Sequence, residues 1–165
     1  MLTVVASAAE LFGADLRLLG NLERQSDRDR GSDLFVAKRP VTGSAQSDPI
    51  DLETIAGRDN LQHALLLRFM TRVGELAVLG HPDYGSRLSE LIGELNDDTR
   101  RNLAKLYTLE ALQAEPRVAK VISVTATQNA ADRTRVDVNV KLQAIDSPTP
   151  LNFVFGVYTG GAVGP

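Results

Sequence analysis

The sequence predicts an α+β fold in which helices pack on a small, mainly antiparallel sheet. Three observations support this class. Two short β-like segments lie between residues 15 and 37, apolar residues then recur at helical spacing from Leu61 to Ala114, and the apolar period changes to two from Val118 onward. Strands first, helices next and a run of strands last favour helices segregated on an antiparallel sheet rather than alternating βαβ units.

The length of the chain predicts one domain with less regular ends. At 165 residues the chain can bury one hydrophobic core but is too short for two full domains. We assign residues 1–32 to an N-terminal arm and loop, residues 33–158 to a single α+β domain, and the glycine-rich residues 159–165 to a flexible tail.

The N-terminal region is predicted to alternate between short strands and loops. Its first residues could form a short helix or a loose arm, and Asp15–Leu19 alternates like a short strand. Asn21–Ser32 is rich in charged and amide side chains, which is typical of an exposed loop. Asp33–Ala37 is a second strand candidate, and Pro40–Pro49 is a second loop by its composition.

The first strongly patterned helix is predicted to begin after Gly57. Asp59 or Asn60 can serve as its N-cap, because a short polar side chain can accept a hydrogen bond from the first helical N–H groups. The large apolar residues that follow share one broad face at 3.6-residue spacing: Leu61, Leu65, Leu66, Phe69 and Val73.

A turn and a second long helix are predicted next. Gly80–Gly85 is a turn by composition, and Ser86 can cap a short helix that ends at Ile92. The acidic segment Asn96–Thr99 favours a helix N-terminus because negative charge stabilises that end of the helix dipole. The predicted helix then spans Thr99–Ala114.

The apolar residues of the helix 99–114 cover an unusually wide arc. Leu103, Leu106, Tyr107 and Ala111 share one side, whereas Leu109 and Leu112 point elsewhere. A helix with such an arc is expected to be buried on two sides. The second cover could be another part of this domain or a different subunit.

The last third of the chain predicts paired strands. Val118–Gln128 is rich in β-branched residues, and Asn129–Arg133 is a hairpin connection. Arg135–Ala144 alternates apolar and polar side chains, which indicates one buried and one solvated face. After a turn at Asp146–Pro150, a last strand alternates large apolar residues: Leu151, Phe153, Phe155 and Val157.

Composition excludes several classes of function. The net charge of −3 gives no basic field for nucleic acid, and no apolar run approaches the roughly 20 residues that span a bilayer. The absence of cysteine excludes disulfides and thiolate chemistry. The first residues lack the basic region of a signal peptide, so we expect a protein made in the cytoplasm.

A search for catalytic or cofactor-binding residues predicts none. His63 and His81 lack metal-ligand spacing; we expect a surface or structural role for both, with His63 on the helix flank opposite the main apolar face. No nucleophile elbow and no phosphate-binding glycine motif is present. Acidic residues are numerous, so a carboxylate pair of the glycosidase type can always be nominated and indicates little.

Two features could instead contact other proteins. Glu115-Pro116-Arg117 stands where a helix must stop, because proline lacks a backbone donor and disfavours a helical residue before it. Its charges could form a self-contained turn, with Arg117 paired to Glu115 or to helix carbonyls, or they could bind a partner. The last strand could lie at a sheet edge and accept a strand from another chain.

Three segments in this order resemble one family. Asp59–Leu76, which begins with Asp-Asn-Leu and ends with Gly-Glu-Leu, resembles the family's helix segment. Pro82–Leu88 resembles its Pro-x-Tyr-Gly-x-x-Leu segment, and Glu115–Val118 resembles its Glu-Pro-Arg signature. Together they resemble the baseplate wedge and sheath-initiator family of contractile tails, found in phages, type VI secretion systems and extracellular contractile injection systems. Members are often labelled lysozyme-like.

The resemblance implies a structural role and no enzymatic activity or cofactor. It implies a sheet like the interlocking domain of contractile sheath proteins, whose strand with Leu151, Phe153, Phe155 and Val157 would bind the first ring of sheath subunits. It implies that Glu115, Pro116 and Arg117 bind the helical core bundle of the baseplate wedge. Several copies would surround the inner tube or hub proteins, without nucleic acid or membrane contacts, in a particle assembled in the cytoplasm.

Two alternatives stay open beside this reading. The first is a lysozyme-like peptidoglycan hydrolase, and the second is a free-standing regulatory domain. On the structural reading we expect Arg117→Ala to leave the fold intact and to stop incorporation into baseplates, and we expect deletion of Leu151–Val157 to block sheath growth.

Overall fold

In the computed structural model, which describes residues 12–20, 34–38, 50–145 and 147–160, two α-helices pack on a three-stranded antiparallel sheet. The predicted α+β class is confirmed. The predictions for the first residues, for the loops 21–32 and 40–49 and for most of the tail lie outside the described residues. Of the described helices, none is long and apolar enough to cross a membrane.

The main sheet consists of β5 (Val118–Gln128), β6 (Arg135–Ala144) and β7 (Leu151–Tyr158), with β6 in the middle. The predicted alternation is confirmed, because one face of the sheet carries buried apolar residues: Val136, Val138, Val140, Leu142 and Ala144 from β6, and Leu151, Phe153, Phe155 and Val157 from β7. The register between β6 and β7 is continuous, whereas the β5–β6 pairing contains two irregularities.

Helix α1 (Gly57–Met70) supplies the apolar face that covers β7. The predicted core residues Leu61, Leu65, Leu66 and Phe69 are buried. The ring of Phe69 stacks on Phe155 with 4.6 Å between centroids, and an aromatic pair of this kind adds roughly 1 kcal/mol beyond its buried area.

Two details of α1 differ from the sequence prediction. Val73 is 44% exposed because the helix ends at Met70 and the chain turns away from the sheet. The N-cap position is Ala56, which makes no side-chain cap bond; Asn60 lies inside the helix and donates instead to the carbonyl of Phe12 at 2.8 Å. Asn60 cannot cap the helix because the helix begins three residues before it, at Gly57.

Helix α2 (Asp98–Gln113) begins at the predicted acidic segment, where the Asp97 carboxylate accepts the N–H of Arg100 at 2.8 Å. Its predicted core face is partly wrong. Leu106 is 47% exposed and Leu112 is fully buried, because the face toward the sheet is formed by Ala104, Tyr107, Thr108, Ala111 and Leu112. Leu103 and Leu109 pack at the borders of this face.

The segment between the helices is held by short turns. It contains the 3-10 turns Ala77–Leu79 and Arg87–Leu91, and Ser86 caps the second as predicted, by accepting the N–H of Leu88 at 3.3 Å. Gly85 lies in the left-handed region (φ +120°), and a Cβ at this position would come within 2.8 Å of the Thr71 carbonyl oxygen. Only glycine fits this close approach.

Two small ribbons precede the helices. β1 (Ala14–Leu16) pairs antiparallel with β4 (Thr54–Ala56), and β2 (Val36–Lys38) pairs antiparallel with β3 (Ile50–Leu52). The sequence predicted β1 and β2 but neither of their partners; all four strands have three residues, too few for a period of two to be distinctive.

Residues 12–20, assigned from the sequence to the arm, pack on the domain. Phe12 and Leu19 are each 3% exposed and belong to the same core cluster as the helices and the sheet. The Gly13 carbonyl also accepts the N–H of Gly57 at 3.3 Å. The buried side chains of Phe12 and Leu19, near the two ends of the segment, pack in the core and hold the segment on the domain.

His63 joins this segment to α1 and has a structural role. The predicted position on an outer flank is wrong, since the imidazole is fully buried and its Nε2 accepts the N–H of Leu18 at 3.1 Å. Burial lowers the pKa of His63 below its ordinary value; the negative charge of Asp15 opposes this effect and the positive charge of Arg17 adds to it.

Stability is expected to depend on the protonation of His63. A folded-state pKa below the unfolded value of about 6.5 means that the unfolded chain binds the proton more tightly, so stability falls as the pH drops below about 6.5. A His63→Gln variant should lose this pH dependence, at a cost of about 1 kcal/mol at pH 7.5. Urea unfolding between pH 7.5 and 5 measures both effects.

His81→Gln is the matched control, because His81 is exposed on the turn 80–85. It should keep the pH dependence of the unmodified protein. The same loss of stability in His63→Gln and in the unmodified protein would contradict the assignment to His63.

Candidate functional site

The junction between α2 and β5 forms a tight turn around Pro116. The N–H of Glu115 donates to the carbonyl of Leu112 at 3.2 Å, and the N–H of Val118 donates to the carbonyl of Glu115 at 3.0 Å. The carbonyl of Arg117 then accepts the N–H of Ile145 at 3.0 Å, which fastens the turn to the chain just after β6. Pro116 is exposed at the outer side of the turn.

Glu115 and Arg117 pair with each other across this turn. Nε of Arg117 donates to Oε1 of Glu115 at 2.6 Å, and a terminal nitrogen donates to Oε2 at 3.1 Å. The Glu115 residue is 6% exposed, whereas the Arg117 side chain is 25% exposed. The two-point contact fixes the plane of the guanidinium, as bidentate pairs do. The pairing anticipated as one alternative is therefore present within the chain.

A second arginine reaches the same carboxylate from α1. A terminal nitrogen of Arg68 lies 3.5 Å from Oε2 of Glu115, and the Arg68 guanidinium lies over the ring of Tyr84, 4.4 Å from its centroid. Arg68 is 9% exposed. The sequence analysis missed Arg68, although one signal was available: it stands seven residues after Leu61 and three after Leu65, at the border of the apolar face of the predicted helix.

The N-terminal segment closes the cluster. The other terminal nitrogen of Arg117 donates to the carbonyl of Phe12 at 3.1 Å, and the same carbonyl accepts from Asn60. One backbone oxygen is thereby held by side chains from α1 and from the α2–β5 junction. We call Arg68, Tyr84, Glu115 and Arg117 the junction cluster.

The electrostatics of the junction cluster keep Glu115 ionised. Burial opposes ionisation, but the hydrogen bonds and charge of Arg117, together with the charge of Arg68, outweigh it and hold the pKa of Glu115 below its ordinary value. The hydrogen bond to Glu115 likewise raises the pKa of Arg117, so both groups carry full charge.

The three segments that carry the family resemblance meet in this cluster. Arg68 comes from 59–76, Tyr84 from 82–88, and Glu115 and Arg117 from 115–118. Gly85 lets the Tyr84 turn approach the end of α1 closely. The predicted site residues Glu115, Pro116 and Arg117 are thus adjacent, but only Pro116 and part of Arg117 reach the surface.

The other predicted site, β7, lies at an edge of the sheet as expected. Within the described chain, the one strand that pairs with it is β6. Its four predicted binding residues, Leu151, Phe153, Phe155 and Val157, all point into the core. These four side chains cannot contact a partner directly, so a contact at β7 would involve its backbone or its outward side chains, such as Asn152.

The two edges of the sheet differ in how well they are protected. β7 contains no charged residue and no proline, and its pairing with β6 has no bulge. β5 carries Lys120 and two irregularities, and α2 packs beside it. Charges and bulges are the usual devices that block an edge strand, and β7 has neither.

The described residues offer little for hydrolytic or metal chemistry. Among them, no group of three or more histidine and acidic side chains is placed to hold a metal ion. Glu90 is exposed and paired with Arg87, whose hydrogen bond lowers the pKa of Glu90. Glu115 is the one buried carboxylate in the described ranges, and its lowered pKa is opposite to what a general acid needs.

Comparison with solved structures finds a related fold. A protein of Geobacter sulfurreducens that is provisionally named a tail lysozyme is 24% identical and superposes with a TM-score of 0.52, over 61% of this chain and 89% of that one. At this identity the similarity establishes the fold alone. No family model and no curated protein gives a significant match.

Loss of the Glu115 charge is expected to destabilise the fold. Glu115→Gln leaves the buried guanidinium of Arg68 and the partly exposed one of Arg117 without their carboxylate, so we expect a loss of about 3 kcal/mol at pH 7. Because the pKa of Glu115 is lowered in the folded state, its stabilisation is complete above the unfolded pKa of about 4.3 and declines as the pH falls below it. The difference from the unmodified protein should therefore shrink in acid.

Chemical denaturation at pH 7, 5 and 3.5 measures this prediction. Glu110→Gln is the control, since Glu110 is exposed on the same helix and its loss should change stability by less than about 0.5 kcal/mol. Equal effects of the two substitutions at pH 7 would contradict the role given to the junction cluster.

Proposed function

We propose that this chain is a structural baseplate component of a contractile tail or injection particle. In this proposal the surface around Pro116 and Arg117 docks on the helical core bundle of the wedge, and the backbone edge of β7 receives a strand from the first ring of sheath subunits. Several copies surround the tube or hub in a particle assembled in the cytoplasm. The protein needs neither a cofactor nor a catalytic residue for this role.

One observation carries the proposal. The three segments that resemble the sheath-initiator family are far apart in the sequence, yet Arg68 of the first contacts both Tyr84 of the second and Glu115 of the third. Motifs that matched by chance would have no reason to converge. The name of the similar structure, a tail protein, agrees with this assignment, although the similarity itself concerns the fold.

The burial of Glu115 changes the roles within the proposed docking site. A residue that is 6% exposed cannot be the contact itself, so Glu115 orients Arg117. Pro116 and the outward side of Arg117 are then the parts that meet the partner. Arginine is well suited to this task because its planar fork is held by Glu115 before the partner arrives.

Because Arg117 compensates a buried carboxylate, its removal also affects the fold. Arg117→Ala, expected from the sequence to leave the fold intact, should cost about 2 kcal/mol, because Glu115 keeps only the backbone N–H of residue 117 and the 3.5 Å contact with Arg68. Docking is therefore better tested with Arg117→Lys, which keeps the charge beside Glu115 and removes the planar fork.

We expect Arg117→Lys to fold and to fail in assembly. The producing cells, with the chromosomal gene replaced by the variant, should yield particles that contain at least about tenfold less of this protein, which corresponds to a loss of about 1.4 kcal/mol in docking. Arg133→Lys, an exposed arginine at the opposite end of β5, is the control. Normal incorporation of the folded Arg117→Lys protein would refute the docking role.

The strand proposal requires a change that spares the core. Deletion of Leu151–Val157 would remove four buried core residues and abolish folding, so it cannot test sheath binding. Asn152 and Val154 point away from the core, and lysine at both positions places charge on the edge strand.

We expect the double variant Asn152→Lys/Val154→Lys to enter baseplates but to carry short or absent sheaths, as seen by electron microscopy. Thr125→Lys/Thr127→Lys places the same charges on exposed positions of β5, at the protected edge, and should leave sheath length unchanged. Full-length sheaths on particles that contain the β7 variant would exclude strand addition at β7.

A peptidoglycan hydrolase is the second candidate, and the name of the similar structure favours it. The junction cluster argues against this activity, because Glu115 is neutralised by two arginines and is not poised to give up a proton. We expect the purified protein to release no soluble material from labelled peptidoglycan above a heat-treated sample. Release that disappears in Glu115→Gln, with folding confirmed, would establish the hydrolase instead.

A further inference from the structure

We infer that Arg68 and Tyr84 are positioning residues of the docking site, which act on Arg117 through Glu115 and make the site specific for an acidic partner surface. This inference rests on the proposed function and names two residues and a partner chemistry that the resemblance does not supply. Neither residue belongs to the Glu-Pro-Arg signature, and neither contacts Arg117 through a hydrogen bond.

The placement of Arg68 is poorly explained by stability alone. Its guanidinium is removed from water on the apolar face of α1, its contact with Glu115 is 3.5 Å long, and its Nε has no hydrogen-bond acceptor among the described residues. Burying a charge under such conditions is costly, and an apolar residue of similar size is often as stable or more so. A requirement for the charge at this position accounts for its presence.

Arg68 completes the fixation of the Glu115 carboxylate. Oε1 accepts from the backbone N–H and Nε of Arg117, whereas Oε2 is shared between Arg117 and Arg68. The carboxylate is thus held from two sides and cannot rotate without losing one partner. Because Arg117 is bound at two points to this carboxylate, its guanidinium plane is fixed as well.

Tyr84 supports Arg68 from the other side. Its ring face lies 4.4 Å from the centre of the Arg68 guanidinium, and the neighbouring Gly85 packs against the backbone of Thr71 and Arg72 at the end of α1. A cation over an aromatic face is stabilised by the ring, more strongly where water is excluded. Since the contact uses the ring face, phenylalanine should replace Tyr84 and leucine should not.

The net charge of the junction cluster indicates which kind of partner surface would bind there. Two guanidinium groups share one carboxylate, so the cluster keeps one excess positive charge. Arg68 is almost fully buried, and the side chain through which this charge reaches solvent is Arg117. Asp15 lies within electrostatic range of Tyr84 but is exposed, so solvent screens it.

The outward side of Arg117 can bind an acceptor directly. A guanidinium has five N–H donors, and three nitrogens of Arg117 use one each on Glu115 and Phe12. One donor on each terminal nitrogen is left for a partner. A carboxylate matches both this geometry and the excess charge.

The experiment compares incorporation into particles for four substitutions: Tyr84→Phe, Tyr84→Leu, Arg68→Lys and Arg68→Met. Each replaces the gene in the producing cells, and the amount of this protein per purified particle is measured beside the unfolding midpoint of the purified variant. We expect normal incorporation for Tyr84→Phe and at least about a tenfold loss for Tyr84→Leu and Arg68→Met. Arg68→Lys should fall between them, because it keeps the excess charge without the planar group.

Val140→Ala separates positioning from stability. Val140 is fully buried in the central strand β6 and has no part in the cluster, and its truncation should lower the unfolding midpoint by removing core packing. Incorporation of this variant should stay normal at a matched loss of stability. An equal loss of incorporation in Val140→Ala and Arg68→Met at matched stability would refute a positioning role.

The proposed acidic character of the partner surface is tested separately, by the dependence of binding on salt concentration. Binding that depends on the excess charge should weaken with salt, so particles should lose the unmodified protein as the salt concentration rises from about 0.1 to 1 M. Retention at every salt concentration would refute the acidic partner. Failure of the inference can be told apart from failure of the proposed function. If Arg117→Lys blocks incorporation while Tyr84→Leu and Arg68→Met do not, the docking site is supported, and its positioning by Arg68 and Tyr84 is refuted.

Discussion

The carboxylate of Glu115 is the group on which the rest of this structure depends. It is buried at the point where α2 ends and β5 begins, and its negative charge is shared between Arg117 and Arg68. Through these two arginines it connects the α2–β5 junction to α1, to the Tyr84 turn and to the carbonyl of Phe12. Removing a charge from water is expensive, so this arrangement persists only because every partner is in place at once.

The two edge strands of the main sheet differ in regularity and in charge. β5 is interrupted by irregular pairing and flanked by α2, whereas β7 is regular and uncharged and keeps its large side chains in the core. An edge of this kind is a liability in an isolated protein and an advantage in an assembly. The regular edge of β7 and the partly exposed Arg117 are the two features on which the proposed assembly role rests.

Sequence reasoning succeeded where a pattern is local and repeated. β6 and β7 follow from the alternation of apolar residues, β5 follows from its β-branched composition, and the cap of α2 follows from an aspartate that lies three residues before the N–H it accepts. It failed where a distant group decides the role of a residue. Asn60 is a good cap by type, but it lies inside the helix and its amide nitrogen binds the distant carbonyl of Phe12. Arg68 was passed over because a single charge beside an apolar face reveals no partner.

The sequence by itself determined the α+β class, the strands of the main sheet and the break at Pro116, because each depends on neighbouring residues and on backbone restrictions that act locally. Only the tertiary structure decided which side of the Glu-Pro-Arg turn faces inward. It buried Glu115, left Arg117 partly exposed and brought Arg68 and Tyr84 behind them. The reason is physical: a buried charge is stable only beside its counter-charges, and one of the two that Glu115 needs, Arg68, lies 47 residues away in the chain.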